Sequence, residues 1–492
     1  MNNKNKKIDK KFNDFSVGEY VVFKKLWDKN AFKLFSSISG DNNPLHHDKM
    51  YAAETSFKYP IVPLHMATAP LSAIAGMMLP GHRSLYLVNN VRAIDAVPYN
   101  EEITYSAKII NLNKINSALD IRVLILHKER ILIVAEMLVQ VRDDVPSNFT
   151  PSHDSLTQIH SQKTPLVLVT GALGGIGRSV CQFLAKKGIG VLLHHRTGRE
   201  NEASDLAEKC NKFGVIAHPI SANLEDKESL DAMMKYIIKN EPVTGLIHLA
   251  SSDVYSSLEK SMMVNFQVLS DILDVFTPIW LAQQQGRAVV VGSSAIEYAP
   301  KGWENYIAAK VTTSHYLLAW HRRYMKYGVE GRVVSPGYVQ TAFSDDLRPK
   351  DADALLPEQA AEVIVDAMIE DDGEREPYLW LENSGMRRGN WGFYEQTSQN
   401  KSGSSGGVLD SSNDNFDSNQ IYANELVRKF FNLSKEHDIG SLGINTIPEW
   451  DSLSHIELML FLEKKLEISF DSQEIEKTKT LVSLEKLISE KF

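Results

Sequence analysis

Hydrophobic and polar positions alternate through "EITYSAKII" from Glu102, "LDIRVLILH" from Leu119 and "YVVFK" from Tyr20, the period of two that predicts strands. Between the first and last of these, "HMATAPLSAIAGMML" from His65 has the density and spacing of a helix. The pattern then changes. "PLVLVTGALGGIGRSVCQFLAKKGIGVLLHHR" from Pro165 reads as a short buried strand, a glycine turn, an amphipathic helix and a second buried strand. Near the C-terminus, "WDSLSHIELMLFLEKKL" from Trp450 carries Leu453, Ile456 and Leu460 at helical spacing, with Met459 and Leu466 widening the stripe. Glu457, Glu463, Lys464 and Lys465 lie mostly off it. Asp451 and Ser452 are good N-cap residues, so one is expected to cap this helix and the other to sit exposed in its first turn.

Two breaks separate these patterns. Residues 144–163 are rich in Pro, Ser and Asp and read as a connector, and residues 395–420 are nearly pure Ser, Gly, Asn and Asp, the composition of a flexible tether. Three blocks result, 10–143, 164–394 and 421–492. A second Asp-Ser-Leu triplet, Asp154 to Leu156, has no helical stripe after it and is a chance match. With 492 residues, 43% hydrophobic and 23% charged, the chain has the composition of a soluble globular protein of about three domains. A net charge of −9 argues against nucleic acid or an anionic membrane surface as main partner. Cys181 and Cys210 give no disulfide framework and fit a reducing compartment. The polar, basic start has no apolar core behind it and no apolar run spans a bilayer, so neither a signal peptide nor membrane insertion is expected, and a cytoplasmic location is. No metal site is assigned.

In the middle block, Gly171, Gly175 and Gly177 would let backbone N–H groups and a helix N-terminus approach a pyrophosphate. Tyr306 and Lys310, four apart, share one helix face. Tyr20 and Lys24 repeat that spacing, but in a strand-like stretch with no glycine loop ahead. Together with Asn265, Ser293 and the Pro336-Gly337 pair, the later match resembles the short-chain dehydrogenase/reductase family in order and approximate spacing, over essentially the whole block. The resemblance implies a doubly wound parallel-sheet Rossmann domain. It makes Tyr306 the acid–base group, Lys310 the cation that favours its phenolate, Ser293 a hydrogen bond to the substrate oxygen and Asn265 the residue that orders a proton-relaying water. Ser294 competes with Ser293, which is preferred because it stands thirteen residues before Tyr306. Cofactor contacts carried over with the motif are Ile176, Asn223, Ala250, Pro336 and Gly337. Arg196 and Arg199, in "HHRTGRE" after the second strand, favour the 2′-phosphate of NADPH over NAD. Two departures stand out: Asn223 replaces an Asp, and "IHLASS" from Ile247 replaces Asn-Asn-Ala-Gly.

In the first block, "GDNNPLHHDKMYAAE" places Asp41 and His46 across a Pro-containing turn. By itself this is good turn material. With Asp48, the helix and the following strands, it resembles the MaoC-type (R)-specific hydratase/dehydratase family, an α+β hot-dog fold, over nearly all of residues 15–143. The resemblance implies that Asp41 and His46 handle the α-proton and the β-hydroxyl of an acyl thioester. His65 departs from it, standing in "VPLHM" where the family has glycine.

A reductase beside a dehydratase makes two consecutive steps on acyl thioesters, and the last block is similar to an acyl carrier protein, a small helical bundle. Its helices would fall at "YANELVRKFFNLS", after "INTIPEWDSL" and near "TLVSLEKLIS", with Ser452 bearing 4′-phosphopantetheine. Glu449, Asp451 and Glu457 around it would meet basic patches on partner enzymes. The expected whole is a multidomain α/β enzyme that turns 3-ketoacyl into (3R)-hydroxyacyl and then trans-2-enoyl thioesters. A separate condensing enzyme, acyltransferase and phosphopantetheinyl transferase would serve it, and a homodimer or higher homo-oligomer is expected. Two alternatives stay open: a reductase with a non-catalytic hot-dog module that binds acyl chains, and an oxidative hydratase–dehydrogenase acting on coenzyme A esters.

Overall fold

Strand β1 (Tyr20–Leu26) opens an antiparallel sheet completed by β2 (Ser84–Ala93), β3 (Glu102–Asn113), β4 (Ala118–His127) and β5 (Arg130–Val141), in the order β1-β3-β4-β5-β2. The computed structural model describes residues 10–144, 160, 165–344, 347, 354–369, 377–382 and 385–388, and toward the C-terminus 426–428, 430, 458, 459, 461, 462, 478 and 480–491. Ser452, the Asp154 triplet, most of residues 145–164 and all of residues 395–420 lie outside the described residues. Two units form, Met1–Tyr394 and Glu395–Phe492.

The helix expected near His65 runs through joined segments, Leu64–Thr68, Pro70–Ala73 and the wider turn Ile74–Met78. Met66, Leu71 and Ile74 bury its face against Ile103, Tyr105 and Ile109 of β3 and Ile121, Val123 and Ile125 of β4. Each such side chain contributes about 1.5–3 kcal/mol by leaving water. Tyr105 fixes the register of helix on sheet, because its hydroxyl donates to Ala67 O at 2.7 Å and accepts from Trp27 Nε1 at 3.0 Å, with no polar atom of the trio left dry. An antiparallel sheet wrapped on one helix is consistent with a hot-dog fold.

The second sheet comprises β6 (Leu166–Thr170), β7 (Gly190–His195), β8 (Ala217–Ser221), β9 (Gly245–His248), β10 (Gly286–Val291), β11 (Val329–Pro336), β12 (Tyr378–Glu382) and β13 (Gly385–Arg388). Seven strands run parallel in the order β8-β7-β6-β9-β10-β11-β12, and β13 is antiparallel at the edge. The short runs "LVLVT" and "GVLLHH" are buried throughout because helices cover both faces. One apolar layer includes the Gly175–Lys186, Glu200–Asn211 and Pro357–Ile369 helices, the other Lys227–Asn240, Val268–Gln283 and Glu304–Tyr324. The chain reverses its direction of winding between β6 and β9, which opens a crevice at their C-terminal ends.

In the second unit, Leu426, Val427, Leu458, Met459, Leu462, Leu481, Leu484 and Ile488 form a small core, with a helix over Leu481–Lys491. Of the stripe read from the sequence only Met459 is among the described residues, and its buried neighbours are Leu458 and Leu462.

Candidate active site

The crevice between β6 and β9 holds a cavity of about 450 Å³. Its floor is the glycine turn. Gly171 has φ +70°, and a Cβ there would lie 3.0 Å from Ala250 N; a Cβ on Gly177 would press to 2.3 Å from Gly171 O. The Gly175–Lys186 helix starts from Gly174 with no side chain capping it, so its first N–H groups stay available to an anion. These features fit a dinucleotide pyrophosphate. His194, which the sequence did not single out, braces the turn: its Nδ1 accepts from Gly171 N at 3.3 Å and its Nε2 donates to Ala222 O at 3.1 Å. That pair of bonds suits a neutral ring, and burial pulls its pKa down to about 4.

The departure at "IHLASS" has a structural account. Thr170 Oγ1 accepts from Leu249 N at 3.2 Å and Ala250 N at 3.3 Å, which leaves its hydrogen for His248 Nδ1 at 3.0 Å. The imidazole thus ties β6 to β9 at the crevice. Burial first, then the charge of Lys310, lowers its pKa to about 3.

Tyr306, Lys310 and Ser293 converge on the cavity wall. The Glu304–Tyr324 helix sets the tyrosine and lysine on its buried face, with the lysine ammonium 5.7 Å from the tyrosine ring centre. Lys310 Nζ donates to Val291 O at 2.9 Å. Burial pulls the lysine down to about 8 and pushes the Tyr306 phenol up to about 12, against a hydrogen bond with Ser293 that lowers it. Ser293 thus faces the phenol, whereas Ser294 holds β11 through a bond from its N–H to Pro336 O at 2.9 Å. Trp303 stands edge-on to the Tyr306 ring at 5.9 Å and Phe343 lies at 6.2 Å, two aromatic walls whose spacing from Tyr306 carried no motif. Every reductase and cofactor position read from the sequence lines this one cavity except Asn265. Asn265 lies fully buried behind it in the turn Met263–Gln267. Its Nδ2 donates to Ser261 O at 2.9 Å, and its Oδ1 has no partner among the described residues.

At the far end, Arg196 and Arg199 both line the cavity, and each has an acidic partner. Arg196 lies 3.7 Å from Glu225, which also pairs with Lys260 at 3.2 Å. Arg199 grips Glu202 with two bonds of 2.8 Å and is the main cause that holds its carboxyl down at about 2; Arg178 binds the same carboxylate. The sequence showed the arginines but not Glu225, which arrives from the loop after β8.

Asp41 and His46 meet in the hot-dog domain. His46 Nδ1 donates to Ile61 O at 2.8 Å, which turns Nε2 toward Asp41 Oδ2 at 3.7 Å. Asp41 Oδ1 accepts from Asn43 N at 3.1 Å, and Asn43 in turn caps the Pro44–His46 turn. Asp48 caps the Lys49–Glu54 helix, accepting from Met50 N at 2.8 Å and Tyr51 N at 3.2 Å. Tyr99, absent from the motif, places a shielded hydroxyl near this pair; burial and then the Asp41 charge push its pKa up. His65 is exposed in ordinary helical backbone at the start of the Leu64–Thr68 segment, so replacing glycine there costs no left-handed strain.

Two family models match this architecture. Residues 165–352 match the model of the short chain dehydrogenase family and residues 16–128 that of the MaoC like domain. Among curated proteins, the 3-oxoacyl-(acyl-carrier-protein) reductase of Staphylococcus aureus (strain Mu50) is 26% identical over 205 residues, 39% of this chain and 82% of that protein. The acetoacetyl-CoA reductase of Allochromatium vinosum is 26% identical over 196 residues, 37% of this chain and 80% of that protein. A solved 3-oxoacyl (acyl-carrier-protein) reductase from Agrobacterium tumefaciens C58 with NADP bound is 21% identical, with a TM-score of 0.40, covering 44% of this chain and 93% of that one.

Proposed function

We propose that the protein reduces 3-ketoacyl thioesters to (3R)-hydroxyacyl thioesters with NADPH and dehydrates these to trans-2-enoyl thioesters, working on a phosphopantetheine arm at Ser452. The observation that carries the reading is the convergence of Tyr306, Lys310 and Ser293 on the cavity that holds the glycine turn. The ketoacyl and acetoacetyl reductases among the relatives support the substrate class.

Gly171, Gly175, Ile176 and Gly177 would hold the pyrophosphate, Asn223 and Ala250 the adenosine side, and Pro336 and Gly337 the nicotinamide end. Arg196 and Arg199 would meet the 2′-phosphate. Bound there, the nicotinamide supplies the hydride. Ser293 orients the ketone oxygen by a hydrogen bond, and Tyr306 gives its phenolic proton to the alkoxide as charge develops. Lys310 stabilises the phenolate that remains, and Asn265 backs the path by which the proton is replaced. In the hot-dog domain, the Asp41–His46 pair takes the α-proton and delivers a proton to the departing β-hydroxyl, so the pair ends with the protons it began with and one water leaves per double bond formed.

The test is to load a 3-ketoacyl-pantetheine arm onto the full chain, add NADPH, and follow the intact mass. Gain of two hydrogens followed by loss of water supports all three parts. Gain of the hydrogens alone leaves the reductase and carrier and turns the hot-dog domain into an acyl-binding module. Failure of Ser452 to accept the arm removes the carrier. Glu225 beside Arg196 favours a second reading, an NAD-linked oxidation of coenzyme A esters. A higher kcat/KM with NAD than with NADP, in that direction, would replace the first reading with it.

A further inference from the structure

Two helices adjoin the candidate reductase residues, and both end at the same place. The Val268–Gln283 helix leads out of the turn that holds Asn265, and the Glu304–Tyr324 helix carries Tyr306 and Lys310. Their last carbonyls have no further turn to accept from, and each helix end bears about half a negative charge. Both ends abut the outer face of the hot-dog sheet. Lys108 on β3 donates to Gln284 O at 3.0 Å and lies 3.5 Å from Gln283 O. Arg122 on β4 donates to Lys326 O, just past the second helix, and to Gln284 Oε1, each at 2.7 Å.

Gln284 is the plug between them. It is 2% exposed and left-handed, with φ 48° and ψ 40°, a strained conformation for a residue other than glycine. Its amide Nε2 donates to Ser106 Oγ at 3.0 Å, Arg122 O at 3.1 Å and Ser106 O at 3.2 Å. Apolar contact runs alongside, for Leu124 and Leu126 of β4 belong to the same buried cluster as Trp280 and Trp320. A second tie lies elsewhere on the sheet: His160 and Tyr20 exchange backbone hydrogen bonds of 2.9 and 3.1 Å, with their rings stacked 5.1 Å apart.

We propose that Lys108, Arg122 and Gln284 form a permanent interdomain clamp, and that the outer face of the hot-dog sheet is built to cap the ends of these two helices of its own chain. The two domains are then one folding unit, not two modules on a connector. This holds whatever reaction either site performs.

The test inserts a protease site within residues 145–159 of the full chain, cleaves it, and follows both pieces by size exclusion at 0.1 and 1 M salt (about 10 and 3 Å screening lengths). The pieces are expected to co-elute at both, since buried pairs are screened little; separation of the cleaved pieces at 0.1 M would overturn the proposal. In the uncleaved chain, Gln284→Gly, which keeps the left-handed backbone and removes the plug, and Arg122→Met should raise amide exchange at residues 276–284 and 318–327 at least about tenfold, with a Tm lower by about 5 °C. Tyr306→Phe serves as the control that should leave exchange at those ends alone. Unchanged exchange at both helix ends in Arg122→Met would also sink the clamp.

Discussion

Burial pushes each member of the Tyr306–Lys310 pair toward its neutral form, the lysine to about 8 and the phenol to about 12. Reduction by this pair needs the phenol protonated and the lysine charged. The first condition holds across the working range, so the lysine sets the limit: kcat/KM for ketoacyl reduction is expected to fall as pH rises through about 8. A pH profile of the free protein's kcat/KM checks this, and Lys310→Arg should move the fall upward. Tyr306→Phe should cost about 10²–10⁴ in kcat with little change in cofactor binding. In the other domain, Asp41→Ala should lower hydration of a trans-2-enoyl thioester by about 10²-fold or more and leave ketoacyl reduction intact, read in two separate assays. These residues were legible because chemistry restricts them to few types at fixed spacings. Trp303, Phe343 and Tyr99 were not, since an aromatic side chain reads first as core and only its neighbours in space give it another use. Ser293 over Ser294 rests on an interval of thirteen residues, and both serines line the cavity with Tyr306.

Among the elements, the β6 turn depends on two histidines that no motif announced. Unfolded, each takes a proton near pH 6.5; folded, His194 does so only near 4 and His248 only near 3. Between those values the unfolded chain binds more protons, so acid destabilises the native state. By pH 5 each ring removes about 2 kcal/mol of the stability present above pH 7. Urea unfolding at pH 7 and 5 measures the loss, and His248→Gln should flatten the slope. The elements themselves followed from their periods: the glycine turn, its flanking strands and the helix near His65 are where alternation and helical spacing put them. In the sequence, "IHLASS" stands only as a departure from Asn-Asn-Ala-Gly. In three dimensions it is a substitute tie, Thr170 to His248, between the strands that bound the crevice.

Across the whole molecule, the sequence separated the domains and hid how the first two are joined. Lys108 and Arg122 occupy alternate positions of amphipathic strands, where a charge ordinarily means water, and Gln284 sits in "AQQQG", which reads as a polar loop. Burial against another domain is not encoded in local pattern. Its mark is on β4, where "VLIL", read as part of an alternating strand, is buried at all four positions. Val123 and Ile125 belong to the core of the antiparallel-sheet domain, Leu124 and Leu126 to that of the parallel-sheet domain. This strand therefore has no permissive phase. A saturation library over residues 121–126 should find Val123→Ala and Leu124→Ala both harmful, the Leu-to-Ala change by about 2–5 kcal/mol, where one-sided strands tolerate every second substitution. Any later drift in either domain must pass through that strand, and the two are bound to evolve there as one.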